Sequence, residues 1–146
     1  MSNKVSIIIP VFNCQKYVGY AIESALDQSY EDVEVIVIDD GSFDDTLDII
    51  TQFDGITVLV KNNGGTASAL NEGIKTAKGD WVHWLSADDV MYRNALLLMM
   101  DIITDKDKIY YTNYDNINEH GEIISEFIEP VLRNLKSLDD KKTELM

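Results

Sequence analysis

The chain contains one cysteine, Cys14, and two prolines, Pro10 and Pro130. A lone thiol cannot close an internal disulfide, so the fold has no covalent staple and the composition suits a reducing compartment. Basic residues are also scarce: 12 Lys and Arg face 26 Asp and Glu, for a formal net charge of −14. The cations are scattered, so phosphate backbones would be repelled and nucleic acid is not the expected partner. No apolar run approaches the ~20 residues of a membrane span. The longest one near a helix, Ala95–Met100, is closed by Asp101. Met1-Ser2-Asn3-Lys4 leads straight into a strand-like run, without the segments of a signal peptide. These features predict a cytoplasmic protein, with docking peripheral to the inner membrane left open. Two motifs are missing as well. No Gly-rich dinucleotide fingerprint follows the first strand, and no loop ends in Gly-Lys-Ser/Thr, which disfavours NAD enzymes and P-loop NTPases.

What is present is an alternating pattern. With 146 residues, 45% of them hydrophobic, the chain can form one domain with a real core. Val5–Phe12, Val33–Ile38, Ile56–Val60 and Trp81–Leu85 read as strands, the first two as continuous β-branched runs suited to a sheet buried on both faces. Gln15–Gln28 has helical spacing at Val18, Ala21, Ile22, Ala25 and Leu26. Ser42 with Asp45 resembles a capping signal for a helix carrying Leu47, Ile50 and Phe53. Thr66–Lys78 is the third helix, with Leu70, Ile74 and Ala77 on one face and Gly79 as its stop. Alternation of this kind predicts an α/β fold, a three-layer open, mostly parallel sheet with right-handed crossovers. Farther on, Arg93–Ile103 reads as a helix and Lys108–Thr112 as a strand. Gly121 marks a turn before Glu122–Ile128, which would pair antiparallel. Residues 1–146 are expected to form a single domain, with a short helix at Pro130–Leu138 and a loose tail.

Ligands of open α/β sheets bind beyond the carboxyl ends of the strands, where strand order reverses. Two aspartate pairs fall at such ends, Asp39-Asp40 after strand two and Asp88-Asp89 after strand four. The loops after strands one and three add Phe12, Asn13, Asn63, Gly64 and Gly65. If strand one lies between two and four, all of these share one crevice. Four carboxylates there would repel one another, each close pair costing on the order of 1–4 kcal/mol. A divalent cation would offset that, and oxygen-only ligands suit Mg²⁺ or Mn²⁺. Such ions complete their shell with water and substrate phosphates, which points to a metal–diphosphate site. Asp is also common in turns and at helix caps for local reasons, and Asp44 and Asp45 read that way. For Asp39 and Asp40 both readings stand.

Other residues invite chemistry less. Trp81 and Trp84 read as core or sheet-face packing rather than sugar platforms. His83 sits mid-strand and reads as a packed, neutral imidazole. His120 lies in a predicted hairpin turn. Cys14 has no histidine near it in sequence to activate a thiolate.

Taken together, four segments carry a likeness. They are Ser6-Ile-Ile-Ile-Pro10-Val-Phe12-Asn13, Ile38-Asp39-Asp40-Gly41-Ser42, Asn63-Gly64-Gly65-Thr66 through Ile74, and Trp84-Leu85-Ser86-Ala87-Asp88-Asp89. In this order the chain resembles family 2 glycosyltransferases, inverting enzymes that use nucleotide-diphospho-sugar donors on the GT-A fold, over about Val5 to Leu98. The resemblance implies roles. Pro10, Phe12 and Asn13 would line the nucleotide pocket. Asp39 would accept the N–H of a uracil-like base, and the Asn63–Gly65 loop would lie near base and ribose. Asp88 matches the last aspartate of the DxD signature and would hold Mg²⁺ or Mn²⁺ against both phosphates, with Asp89 in support or on the ribose.

Departures from the family pattern carry expectations too. Ser86 replaces the signature's first aspartate, and Leu70 stands where many members have Arg. The family's general base comes from a Glu-Asp motif in an acceptor-binding half, and no Glu-Asp dipeptide follows residue 90. The resemblance therefore implies a donor-binding portion, with the catalytic base unassigned. A sugar or lipid-linked acceptor completes the expectation: either the chain is a fragment, or a membrane-surface or protein partner supplies the acceptor half, or the donor is bound without transfer. Two rivals stand beside it. One is a non-catalytic nucleotide-sugar-binding or regulatory module. The other is a phosphoryl-acceptor signalling domain, which would want its acids after strand one, where Phe12-Asn13 stands.

Overall fold

β-branched residues favour extended backbone, and runs of them suit strands covered on both faces. The computed structural model, which describes residues 3–105 and 107–127, turns these runs into β1 (Val5–Val11), β2 (Val33–Asp39) and β3 (Ile56–Val60), followed by β4 (Trp81–Trp84). Helices α1 (Val18–Leu26), α2 (Thr46–Ile50) and α3 (Thr66–Thr76) fill the connections. All pairings are parallel and the order is β3-β2-β1-β4. The chain steps from β1 outward to β3, then returns to place β4 on the other side of β1. Strand order reverses at β1, which lies between β2 and β4 as the shared crevice requires.

Residue alternation divides the core between two helical layers. Ile8, Ile36 and Ile38 cluster with Ala69 of α3, flanked by Leu59, Leu70 and Ala77. The alternate residues Ile7, Ile9, Val35 and Val37 face the other side, where α1 and α2 bury Val18, Ala21, Ile22, Ala25, Thr46 and Ile50. The buried face of α3 is smaller than its sequence pattern suggests. Ala69 and Gly73 are its buried residues, whereas Ile74 is exposed. A Cβ on Gly73 would collide with Ile8 Cγ2 and come within 2.8 Å of Ile38 Cδ1. Glycine there sets how closely α3 lies on the sheet.

Pro10 is tolerated inside a central strand for a geometric reason. The Ile8 carbonyl accepts the Leu85 N–H and the Val11 carbonyl accepts the Asp40 N–H. Successive residues face opposite neighbours, so Pro10 faces the β4 side, where the pairing with β1 has already ended at Ile8–Trp84. At the opposite end of the sheet, Glu34 Oε1 accepts bonds from Ser6 Oγ (2.6 Å), Lys78 N (2.6 Å) and Gly79 N (3.1 Å). Gly79 thus closes the turn into β4 rather than ending α3, whose last residue is Thr76.

Trp84 departs from the packing reading. It lies at the edge of the described sheet and is 56% exposed, whereas α3 packs over β1 and β2. Two compact units divide the chain, Met1–Leu98 and Met99–Met146. The helix α4 (Ala95–Ile102) runs across the boundary. In the second unit, β5 (Tyr114–Ile117) and β6 (Ile123–Phe127) form an antiparallel pair. Asn118 Oδ1 accepts the N–H groups of His120 and Glu122 to close the turn. Lys108–Thr112 forms no strand. The Tyr110 hydroxyl instead accepts from the Thr104 and Asp105 amides and donates to the Asp105 carbonyl. Pro130–Leu138 and the tail lie outside the described residues. No described helix is long and apolar enough to cross a membrane.

Two outcomes follow from this packing. Gly73→Ala should lower stability by about 1–3 kcal/mol in urea denaturation, overpacking outweighing the ~1 kcal/mol gain in helix propensity. Burial alone would raise the Glu34 carboxyl, but the Ser6 hydroxyl, the Lys78 and Gly79 amides and Lys4 outweigh it and hold it below its usual range. A lowered folded value stabilises above the unfolded one and is lost on acidification. Glu34→Gln should therefore be less stable than the parent at pH 7, and the gap should close below about pH 4.

Candidate functional site

The loop after β1 is zipped to the turn after β2. Asn13 adopts φ 49°, a left-handed conformation that Asn tolerates better than most residues. Its amide donates to Ser42 Oγ (2.9 Å) and its Oδ1 accepts the Phe43 N–H (2.9 Å). Cys14 N–H reaches the buried Thr46 Oγ1 at 2.8 Å, and Gln15 Oε1 accepts the Asp45 N–H at 3.0 Å. Ser42 is committed to Asn13 and caps no helix, so α2 starts only at Thr46. Asp44 accepts the Thr46 amide, the local role read for it, and also the Gln15 amide from the β1 loop.

Asp39 and Asp40 are both buried, and their environments differ. Asp40 accepts from Lys61 Nζ (2.5 Å), from the Gly64 amide (3.0 Å) and from the Gly65 amide (2.7 Å). Burial pushes its carboxyl up, but Lys61 and the two amides outweigh that and hold it below the usual range. Parallel register creates the pairing: Asp39 stands opposite Val60, so the next residues, Asp40 and Lys61, meet where the strands end. The expectation of four mutually repelling carboxylates is corrected here, since Asp40 is neutralised within the fold. Sequence reading passed over Lys61; its signal was a lone cation directly after β3. Gly41 packs beneath this junction at φ 78°, where a Cβ would stand 2.9 Å from the Asn63 amide. Asp39 is 1% exposed, and both its oxygens share the Ser42 N–H at a long 3.3 Å. That leaves it most of a carboxylate's acceptor capacity.

The loop after β4 borders the β1 loop from the other side. Cys14 Sγ donates to the Ala87 carbonyl at 3.5 Å, and the Asp89 amide turns back to the Ser86 carbonyl at 3.1 Å. Burial, then the charge of Asp88, raises the Cys14 thiol, which opposes a thiolate role. Burial and the Asp88 charge also raise the Asp89 carboxyl against a hydrogen bond from Ser86. Asp88 and Asp89 are exposed, and no ion pair of the described residues involves either. The described residues assemble no group of three or more His, Cys, Asp or Glu able to hold a metal. Mg²⁺ and Mn²⁺ need no such cage, because one or two carboxylates plus substrate phosphates suffice. An open, unneutralised Asp88-Asp89 pair fits that chemistry.

Asn13 and Cys14 therefore join the Asp39 turn on one side and the Asp88 loop on the other, so the two acids share one rim. Pro10 is buried in β1, Asn63 and Gly65 are exposed on the β3 loop, and Phe12 is 45% exposed. Away from the rim, burial lowers the imidazole of His83, in keeping with a neutral packed side chain, and His120 is exposed in its turn.

Known proteins resemble this chain in sequence and fold. The model of the family described as glycosyl transferase family 2 matches residues 6–144. An uncharacterised glycosyltransferase of Rickettsia prowazekii is 47% identical over 119 residues, 79% of this chain and 37% of that protein. Chondroitin synthase of Pasteurella multocida is 37% identical over 127 residues, 83% of this chain and 13% of that one. Among solved structures, S. aureus TarS 1–349 in complex with UDP-GlcNAc has a TM-score of 0.62 at 30% identity, covering 67% of this chain and 30% of that one. The mannosyltransferase PcManGT of Pyrobaculum calidifontis, in complex with GDP-Man and Mn²⁺, shares the fold with a TM-score of 0.62 at 22% identity, over 73% of this chain and 34% of that one. The chain thus spans well under half the length of each of these relatives. Its parallel sheet, the switch point at β1 and the family match agree: the chain belongs to glycosyl transferase family 2 and carries a glycosyltransferase domain of the GT-A type.

Proposed function

We propose that this domain binds a nucleotide-diphospho-sugar, a UDP-sugar foremost, with Mg²⁺ or Mn²⁺, and is the donor-binding portion of an inverting transferase. The observation that supports it most is the linked rim: four loops at the carboxyl ends of the strands, with buried Asp39 on one side of β1 and open Asp88 on the other. Phe12 stacks on the base, Asp39 accepts its ring N–H, and Asn63 and Gly65 border base and ribose. Pro10 and Asn13 shape the floor of the pocket. Asp88 holds the ion and Asp89 supports it or contacts the ribose. The ion, when bound, neutralises the diphosphate leaving group.

In the transfer, an acceptor hydroxyl oxygen bonds to the anomeric carbon as the bond to the diphosphate oxygen breaks. The diphosphate leaves with the electron pair, from the face opposite the incoming oxygen. The hydroxyl proton goes to a general base outside the residues assigned here, in an acceptor-binding half. The acceptor is a sugar or a lipid-linked sugar. Residues 1–146 act together as one donor-binding domain in this reading.

Thermal shifts with UDP, GDP and ADP, each with and without Mn²⁺, test it. A ligand at 100 times its Kd should add about 2.7 kcal/mol of stability, with UDP plus Mn²⁺ the largest shift. Asp88→Ala should abolish the Mn²⁺-dependent part alone. Asp39→Ala should weaken UDP about tenfold or more even without metal, the loss of a charged hydrogen bond. Unchanged shifts in both variants would refute the assignment. Asp40→Ala should act on the fold instead, costing about 1–3 kcal/mol in urea denaturation, because the Gly64 and Gly65 amides lose their acceptor and Lys61 keeps only the Asn62 carbonyl.

A further inference from the structure

Phe43 is 84% exposed at the tip of the β2 turn, an unusual place for a ring of that size. Its ring centroid lies 5.8 Å from that of Phe12, and the two planes meet at 78°. The position is held from below, since the Phe43 N–H is fixed by Asn13 Oδ1 and the preceding Ser42 hydroxyl takes the Asn13 amide. Two nearly perpendicular rings on a hydrogen-bonded backbone make a corner. A flat ring stacked on Phe12 would meet Phe43 along its own edge. The same turn buries Asp39, whose carboxylate has only the long Ser42 bond among the described hydrogen bonds. Aromatic faces beside a spare carboxylate acceptor suit a planar heterocycle that carries an N–H.

We propose that Phe43 is the second wall of the nucleobase subsite and helps set affinity for the nucleoside part of the donor. The proposal rests on the donor reading above, and it adds a residue that the four motifs do not include. A base in the corner is restrained in tilt by Phe12 and in sideways travel by Phe43. Phosphate and metal play no part in this contact, so its loss should leave the metal dependence of binding intact.

Titration calorimetry with UDP, with and without Mn²⁺, tests this on the parent and on Phe43→Ala, Phe43→Leu and Phe43→Trp. Ala and Leu should weaken UDP about five- to tenfold, the lower part of the range for losing a base–aromatic contact. Trp should stay within about twofold, and the ratio of Kd without Mn²⁺ to Kd with it should be the same in all four proteins. Melting temperatures should fall by only a few degrees, because the side chain is exposed and its described ring contact is the one with Phe12. If Ala binds UDP as the parent does while Asp39→Ala does not, Phe43 lies outside the subsite and the donor reading stands. A Leu variant equal to the parent overturns the aromatic contact. A folded parent that binds no UDP overturns both readings.

Discussion

One buried carboxylate keeps the functional rim in shape. Asp40 gathers the Lys61 ammonium and the Gly64 and Gly65 amides at the point where β2 and β3 end. These donors would otherwise face one another across a loop with little apolar material to hold it. Removing a charged partner from such a cluster leaves the others desolvated and unpaired, which is far costlier than the bond is favourable. The start of α3 and the Asn63–Gly65 loop are thereby anchored to the end of β2, and the acceptor face of Asp39 is left beside them.

Neighbouring acids thus serve opposite ends. Asp40 is spent on the fold, whereas Asp39 and the Asp88-Asp89 pair keep their acceptor capacity. A chain with a net charge of −14 might be expected to crowd repulsion into the crevice. The one cation after β3 removes a quarter of the four-carboxylate problem, and exposure to water eases the repulsion of Asp88 and Asp89. Between the two acidic loops stands the β1 loop, whose Asn13 and Cys14 reach in both directions.

Small residues determine how near these parts come. Gly73 lets α3 settle on Ile8 and Ile38, and Gly41 lets the β2 turn pass under the Asn63 amide. The apolar stripe of α3 pointed to Leu70, Ile74 and Ala77; Leu70 and Ala77 flank the core, yet the buried seam runs through Ala69 and Gly73 and Ile74 is exposed. Periodicity counts apolar side chains, and so it undervalues a seam whose function is to be thin. The same limit explains Trp84, whose aromatic character suggested packing although its side chain is exposed on the described sheet.

Much of the molecule was legible before any coordinates. β-branched runs and the spacing of apolar residues located the four parallel strands and the helices between them, because local propensity and burial act over a few residues; the strand read at Lys108–Thr112 instead forms at Tyr114–Ile117. The four motifs, each at the end of a strand, pointed to the family and to a rim carrying Phe12, Asn13, Asp39, Asn63, Gly65, Asp88 and Asp89. Tertiary structure alone decided which side of β1 would receive β4, and hence that these loops line one rim of the sheet. It also decided the register that sets Asp40 against Lys61, and the meeting of Phe12 with Phe43, which lie 31 positions apart in the chain. Those outcomes depend on contacts between residues distant along the chain, which no local pattern encodes.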